Sequence, residues 1–409
     1  MKKAKVLIFF IVLLLFAATI FVRMSSGAFV PFGEEPETES SPSVPPSGST
    51  GGGIEPVPPE DSAEPSPSPE PEPEHFTLSF VGDCTLNSAP KFQQSDRGYA
   101  RTMNGDYAYP FSNTAEYFKD DDMTFANLEC NFSDDPGLQS IEWFYFKVPT
   151  EWANILVEGN VDYVTTANNH MMDFGQAGAD STYSTLDEYG IPYGKEGEGN
   201  IYTTAGGLKI GIYCDYNDYF PEQGKCSAEI KKLREQGAEY VMCAFHWGKD
   251  ELFYKPTDKM VDLAHACIDA GADLVYGSHT HCLQPVEEYN GGYIMYSMGN
   301  WSFGGHTSPS DPDTAIVQVD VRRDPDGSIS NDCYSIIPCC ISSDIEGAQA
   351  YWQAKQAGSS PTSYYNNYCP TPYPEDSEGY GRVMAKMQGT YEGPDGKTDY
   401  GWVATGGQQ

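Results

Sequence analysis

The chain has 409 residues, with 24 Lys+Arg against 59 Asp+Glu and a formal net charge of −35. That balance argues against a nucleic-acid partner and against docking on anionic lipid, since both favour a basic surface. It fits a soluble extracellular domain. Residues 31–74 are rich in Pro and Glu and contain no Lys or Arg; they hold too few apolar side chains to offset the entropy of ordering a core.

The start of the chain reads as a membrane signal. Met-Lys-Lys-Ala-Lys precedes residues 6–22, a run without charge or Pro. A helix crossing hydrocarbon takes ~20 apolar residues, with ~17 at the low end. Lys2, Lys3 and Lys5 then stay cytoplasmic and everything after Arg23 lies outside. The expectation is a single-pass anchor in the cell membrane with the bulk of the chain extracellular. A cleaved secretory signal ending near Ser26-Gly27-Ala28 is the alternative. The expected organisation is a head over 1–5, the anchor over 6–22, a disordered linker over 23–75 stretched by Pro and like charge, a folded domain over 76–345, and an irregular tail over 346–409.

Within the domain, five short apolar runs end in polar groups. Residues 76–81 lead to Gly82-Asp83. Residues 123–126 lead to Asn127-Leu128-Glu129, and 161–167 to Asn168-Asn169-His170. Residues 240–245 lead to His246-Trp247-Gly248, and 274–276 to Gly277-Ser278-His279-Thr280-His281. Each reads as a buried strand delivering polar groups at its C-terminal end, where open α/β sheets place their sites. Helical spacing appears over 151–158, 177–189, 227–236 and 257–270, and Gly190, Gly237 and Gly271 close three of these. Hairpins are expected over 201–213, 286–297 and 315–337. The fold class is therefore α/β, a mixed sheet with helices outside and hairpins added. Beyond 345 one short helix is expected, near 348–356. The eleven Cys are odd in number and irregularly spaced, and several lie in apolar runs, so no disulfide framework is expected beyond one or two isolated bridges.

The strand ends collect Asp83, Glu129, Asn169, His170, His246, His279 and His281. Carboxylate, amide and imidazole donors together suit borderline divalent ions such as Zn, Mn or Fe. His279 and His281, two apart, can reach one centre from an extended loop. Taken singly each has an ordinary explanation: Asp83 as a turn residue, His246 as a hydrogen-bonded core group, Asn168-Asn169 as a turn. His265, inside a helix, reads as packing or solvated, and His306 is uncommitted.

In this order the groups Gly-Asp, Asn-Leu-Glu, Asn-Asn-His-x-x-Asp-x-Gly, His-Trp-Gly, Gly-x-His-x-His and Ser-Met-Gly-Asn resemble the CapA family, bacterial capsule-synthesis proteins linked to poly-γ-glutamate. The resemblance runs from about residue 76 to 345. That family is similar to the calcineurin-like metallophosphoesterases, which implies a four-layer α/β/β/α sandwich with one or two metal ions. The resemblance implies metal ligation by Asp83, Glu129, Asn169, His246, His279 and His281. It makes His170 the general acid, held by Asp173, and it places Asn127, Trp247 and Asn300 near substrate. Trp247 and Asn300 fit support of the ligands equally well. Two positions depart from the pattern: Thr85 stands where the phosphoesterases carry a His, and Glu129 stands in place of a bridging Asp. The implied role is capsule or envelope poly-γ-glutamate synthesis or export, with capsule synthase subunits as partners and an anionic polymer or phosphoester as substrate. A non-catalytic scaffold and a general extracytoplasmic phosphoesterase are the alternatives.

Overall fold

The apolar runs become parallel strands in two sheets packed face to face. The computed structural model describes residues 71–217, 219–248, 254–359, 361 and 364–393. The anchor expected over 6–22 and almost all of the linker lie outside them. Among the described residues no helix is long and apolar enough to cross a membrane.

The strands in chain order are β1 (Glu74–Cys84), β2 (Met123–Leu128), β3 (Asn131–Phe132), β4 (Lys147–Val148), β5 (Tyr163–Thr165), β6 (Tyr193–Gly194), β7 (Glu198–Thr203), β8 (Lys209–Asp215), β9 (Tyr240–His246), β10 (Leu274–Ser278), β11 (Val286–Tyr289), β12 (Gly292–Met295), β13 (Asp313–Arg323), β14 (Ile329–Cys340) and β15 (Thr371–Pro372). The helices are α1 (Tyr99–Met103), α2 (Asn154–Glu158), α3 (Gly175–Tyr189), α4 (Gln223–Glu235), α5 (Asp258–Asp269), α6 (Ile345–Gln356) and α7 (Glu378–Met387). One sheet has seven strands in the order β15-β14-β13-β1-β2-β5-β6, and the other six in the order β11-β12-β10-β9-β8-β7; β3 and β4 form a separate pair. The three expected hairpins are β7–β8, β11–β12 and β13–β14, all antiparallel.

Strand alternation sorts the apolar side chains into layers. Leu78 and Phe80 of β1, Phe125 of β2 and Val317 of β13 join Ile212 of β8, Met242 of β9 and Tyr276 of β10 in the layer between the sheets. Val81, Ala126 and Val164 point the other way, onto Leu156 of α2 and Leu186 of α3. Val241, Cys243 and Val275 pack on Ile230 of α4 and Leu263 of α5. The result is the expected four-layer α/β/β/α sandwich. Burying each such side chain contributes roughly 1.5–3 kcal/mol, and a one-residue slip would exchange both faces of a strand at once.

The segment beyond 345 is more ordered than its composition predicts. It holds α6, which covers the helix expected near 348–356, together with β15 and α7. The helix α7 buries Arg382, Val383, Lys386 and Met387. Lys386 Nζ donates to both Asp311 carboxylate oxygens at 2.8 and 2.7 Å and to Asp313 Oδ2 at 2.7 Å. Arg382 donates to both Asp313 oxygens at 2.7 and 2.6 Å. All eleven cysteines are free thiols, and ten are buried.

Candidate metal centre

Strands β1, β2 and β5 run parallel in one sheet, and β9 and β10 run parallel in the other. Gly82 sets where Asp83 emerges. A Cβ there would lie 2.1 Å from the Gly299 carbonyl oxygen, the same oxygen that accepts from Asp83 N at 2.8 Å. Only glycine lets the chains approach so closely. The β1–β2 register shifts between Phe80 and Asp83, and the Asp83 carboxylate is fully buried at the strand end. Its Oδ1 accepts from Asn127 Nδ2 at 2.8 Å, and Oδ2 lies 3.7 Å from His281 Nδ1. Burial pushes this carboxyl up to about 6, against lowering by His281 and the Asn127 N–H.

His246 is the hub. Its Nδ1 lies 2.9 Å from Ser278 Oγ. Its Nε2 has Asn169 Oδ1 at 2.8 Å, His279 Nδ1 at 3.0 Å and Glu129 Oε1 at 3.0 Å. Burial, with help from the neighbouring imidazoles, holds His246 well below its ordinary value, and the same causes hold His279 down to about 3. The rings are therefore neutral at physiological pH. Nδ1 also has the Asn127 amide nitrogen at 3.2 Å, while Nε2 faces a carboxylate, an amide oxygen and a second imidazole. Three further donor-type atoms thus lie 2.8 to 3.0 Å from Nε2. That spacing is the edge of a ligand shell with bonds of about 2.1 Å. The donor set thus fits a divalent ion.

Asp83, Glu129 and His281 form a second grouping, with ligand atoms all within 4.8 Å of one another. Glu129 is common to both groups, the position a shared carboxylate would take. His279 and His281 flank Thr280 with φ of +92° and +54°, a conformation uncommon for residues other than glycine. The loop is pinned by Thr280 Oγ1 on Ser297 Oγ at 2.9 Å and by His281 Nδ1 near Asn300 Oδ1 at 2.9 Å.

His170 stands at the rim, 8% exposed. Its Nδ1 lies 2.9 Å from Asp173 Oδ2, which also accepts from Phe146 N at 3.1 Å. Phe146 packs edge-on to the ring at 4.9 Å, and Ile141 and Trp143 stand exposed on the segment that bonds back to Asp173.

The three residues expected near substrate are all buried. Trp247 is fully buried on the helix side of β9, donating from Nε1 to Tyr296 O at 2.9 Å; strand alternation turns it away from the face that carries His246. Asn127 is fully buried and its amide is spent on Asp83 and on Asn168 Nδ2 at 3.0 Å. Asn300 is 2% exposed and engages His281 through both ends of its amide. Asn127 and Asn300 thus hold Asp83 and His281, and Trp247 packs in the layer beneath β9. Thr85, in place of a His, is a buried stitch that accepts from Gly304 N at 2.8 Å and donates to Asn87 O at 3.1 Å. His265 lies apart from the centre, with Nε2 3.2 Å from Glu287 and its ring stacked on Tyr289 at 3.7 Å. Sequence reasoning missed Asn168 and Ser278. Asn168 donates to Leu128 O at 2.8 Å and accepts from His170 N at 3.0 Å. Both sit beside motif residues, which was the available signal.

Residues 77–304 match the family described as bacterial capsule synthesis protein PGA_cap. The capsule biosynthesis protein CapA of Bacillus anthracis is 27% identical over 277 residues, covering 61% of this chain and 64% of that protein. The PGA biosynthesis protein CapA of Bacillus subtilis is 26% identical over 272 residues, covering 61% and 69%. The chain thus spans just under two thirds of the length of the B. anthracis relative. Among solved structures, the calcineurin-like phosphoesterase YfkN from Bacillus subtilis is similar with a TM-score of 0.43 and 15% identity, over 65% of this chain and 91% of that one.

Proposed function

This chain belongs to the bacterial capsule synthesis protein PGA_cap family, and from that premise we propose that it acts in the synthesis or export of an anionic polyglutamate at the cell envelope, through a metal-dependent hydrolase-like site. The observation that carries the reading is the convergence of Glu129, Asn169 and His279 within 3.0 Å of His246 Nε2. In it, Asp83, Glu129, Asn169, His246, His279 and His281 hold one or two divalent ions of the Mn, Zn or Fe type. Such ions supply Lewis-acid charge and water activation when bound. The chain's own residues do the rest. Asp173 fixes the His170 ring through Nδ1, and His170 Nε2 donates a proton to the leaving group. Ser278 and Asn300 orient His246 and His281. The bond cut is a γ-glutamyl amide or a phosphoester. The basic start and the apolar run over 6–22 support a membrane-anchored, extracellular placement, with capsule synthase subunits as neighbours.

The test is elemental analysis of the purified full chain, a thermal melt with and without chelator, and a screen of γ-glutamyl amides and phosphoesters. The expected result is bound metal, a lower melting temperature in chelator, and turnover that falls by about 10²–10⁴ in His170→Ala. A metal-free chain indifferent to chelator sinks the reading. The structural use of Thr85 favours a second reading, a non-catalytic scaffold. Metal binding with no turnover, unchanged by His170→Ala, would establish it.

A further inference from the structure

A cavity of about 340 Å³ borders the centre on the His281 side. His281, Asn300 and Phe303 form one part of its wall, and His306, Asp311 and Lys355 another. His281 is shared: it groups with Asp83 and Glu129 and also lines the cavity. Anything seated in the cavity is therefore next to the ligand cluster.

The wall carries positive charge in a chain whose net charge is −35. Lys355, on the last turn of α6, is exposed. Lys91 Nζ sits 4.6 Å over the Phe92 ring, and Phe92 packs edge-on against His306 at 5.0 Å. Burial, then the charges of Lys91 and Lys355, hold His306 below its ordinary value, which puts both lysines on this flank. Neither lysine forms an ion pair with a carboxylate among the described residues. The carboxylate in the wall, Asp311, is 1% exposed and already takes two hydrogen bonds from Lys386. The cavity thus combines two imidazoles, an uncompensated ammonium and a neutralised carboxylate. Its volume is at the small end for ligand pockets, with room for one small anionic unit.

We propose that this cavity is an oxyanion subsite, in which Lys355 takes a carboxylate or phosphate of the substrate while the bond to be cut lies at the Asp83–Glu129–His281 group. The inference rests on the proposed function and gives the site its specificity for anionic chains. A γ-glutamyl chain carries a carboxylate on every residue and fills the subsite while its neighbour occupies the centre. Pyrophosphate offers a second phosphate to the same place.

Calorimetric titration of the full chain with a γ-glutamyl tetramer and with pyrophosphate tests it, using wild type, Lys355→Gln, Lys355→Arg and the control Lys231→Gln. Lys231 is an exposed helix residue facing Glu235. Lys355→Gln is expected to weaken binding about tenfold, the size of one charge-assisted hydrogen bond in a part-exposed site. Lys355→Arg should recover most of the loss, and Lys231→Gln should stay within about twofold of wild type. Matching melting temperatures will show that the fold is unaffected. A loss confined to the tetramer assigns the carboxylate, and one confined to pyrophosphate assigns the phosphate; either supports the subsite. If every probe that binds wild type binds Lys355→Gln equally, the subsite is wrong and the proposed function stands. If neither probe binds wild type, both fall.

Discussion

Two buried polar clusters in this protein use similar carboxylates to opposite ends. Between α7 and β13, Asp311 and Asp313 face Lys386 and Arg382, and each charge meets an opposite charge from the same chain at 2.6 to 2.8 Å. At the strand ends, Asp83 faces an amide and an imidazole and Glu129 an imidazole instead. Burial of an ion is costly unless it is paired. The first cluster is closed by its own lysine and arginine and serves to dock a helix. The second is completed, on the reading proposed here, only by a cation from outside. The sign of the partner, more than the depth of burial, separates a structural cluster from a candidate site.

The comparison breaks most readily at the closed cluster. Lys386→Met leaves two buried carboxylates with one guanidinium and should cost about 3–5 kcal/mol in a denaturant melt, while the metal content of the chain that remains folded stays unchanged. Next come the ligands. His279→Ala and His281→Ala should each lower bound metal by elemental analysis and remove the stabilisation that metal gives, about 3 kcal/mol at a hundredfold excess over Kd. His265→Ala should retain full metal content. Loss of metal in His265→Ala with retention in the other two would overturn the assignment.

A smaller effect sharpens the electrostatic side. The Asp83 carboxyl is raised from 3.8 to about 6 by burial in the fold, so folding takes up a proton between those values. In metal-free protein the ionised carboxylate therefore costs stability, a cost absent below pH 4 and complete above about 6. Asp83→Asn should stabilise the chelated chain at pH 7.5 by on the order of 1–2 kcal/mol more than at pH 4. Equal effects at the two pH values would rule out the uncompensated charge. Smallest is Trp247→Phe, which removes the bond to Tyr296 and should cost about 1 kcal/mol with no change in metal content.

The strand ends were legible because a buried strand followed by polar residues is a local pattern. Residues 240–245 end at His246, and the structure puts β9 over Tyr240–His246. What a neighbour in sequence does is less legible. His246 and Trp247 are adjacent, yet alternation sends one to the centre and the other into the layer beneath α5. Parity alone pairs His246 with Met242 and Ala244, but nothing in the sequence says which face of the strand carries the site. The setting of Asn127 was hidden for a similar reason, since its partners Asp83 and Asn168 lie about forty residues away on either side. The helix α7 escaped notice because two of the residues on its buried face are Arg382 and Lys386, which a search for apolar spacing scores as solvent-facing. Its signal was the pair of acids, Asp311 and Asp313, that waits for them on the other side.

The seating of the donors has a mechanical consequence. Asp83, Glu129 and Asn169 lie at the end of strands of one sheet or follow them, and His246, His279 and His281 end or follow strands of the other. An ion gripping both sets would be a cross-link between the two halves of the sandwich, closing chain loops that stretch from the first strand to beyond the tenth. Cross-links over long loops act chiefly by narrowing the unfolded ensemble. In a chain whose eleven cysteines are all free thiols, a metal tie of this kind would take the place that disulfides hold in many exported proteins.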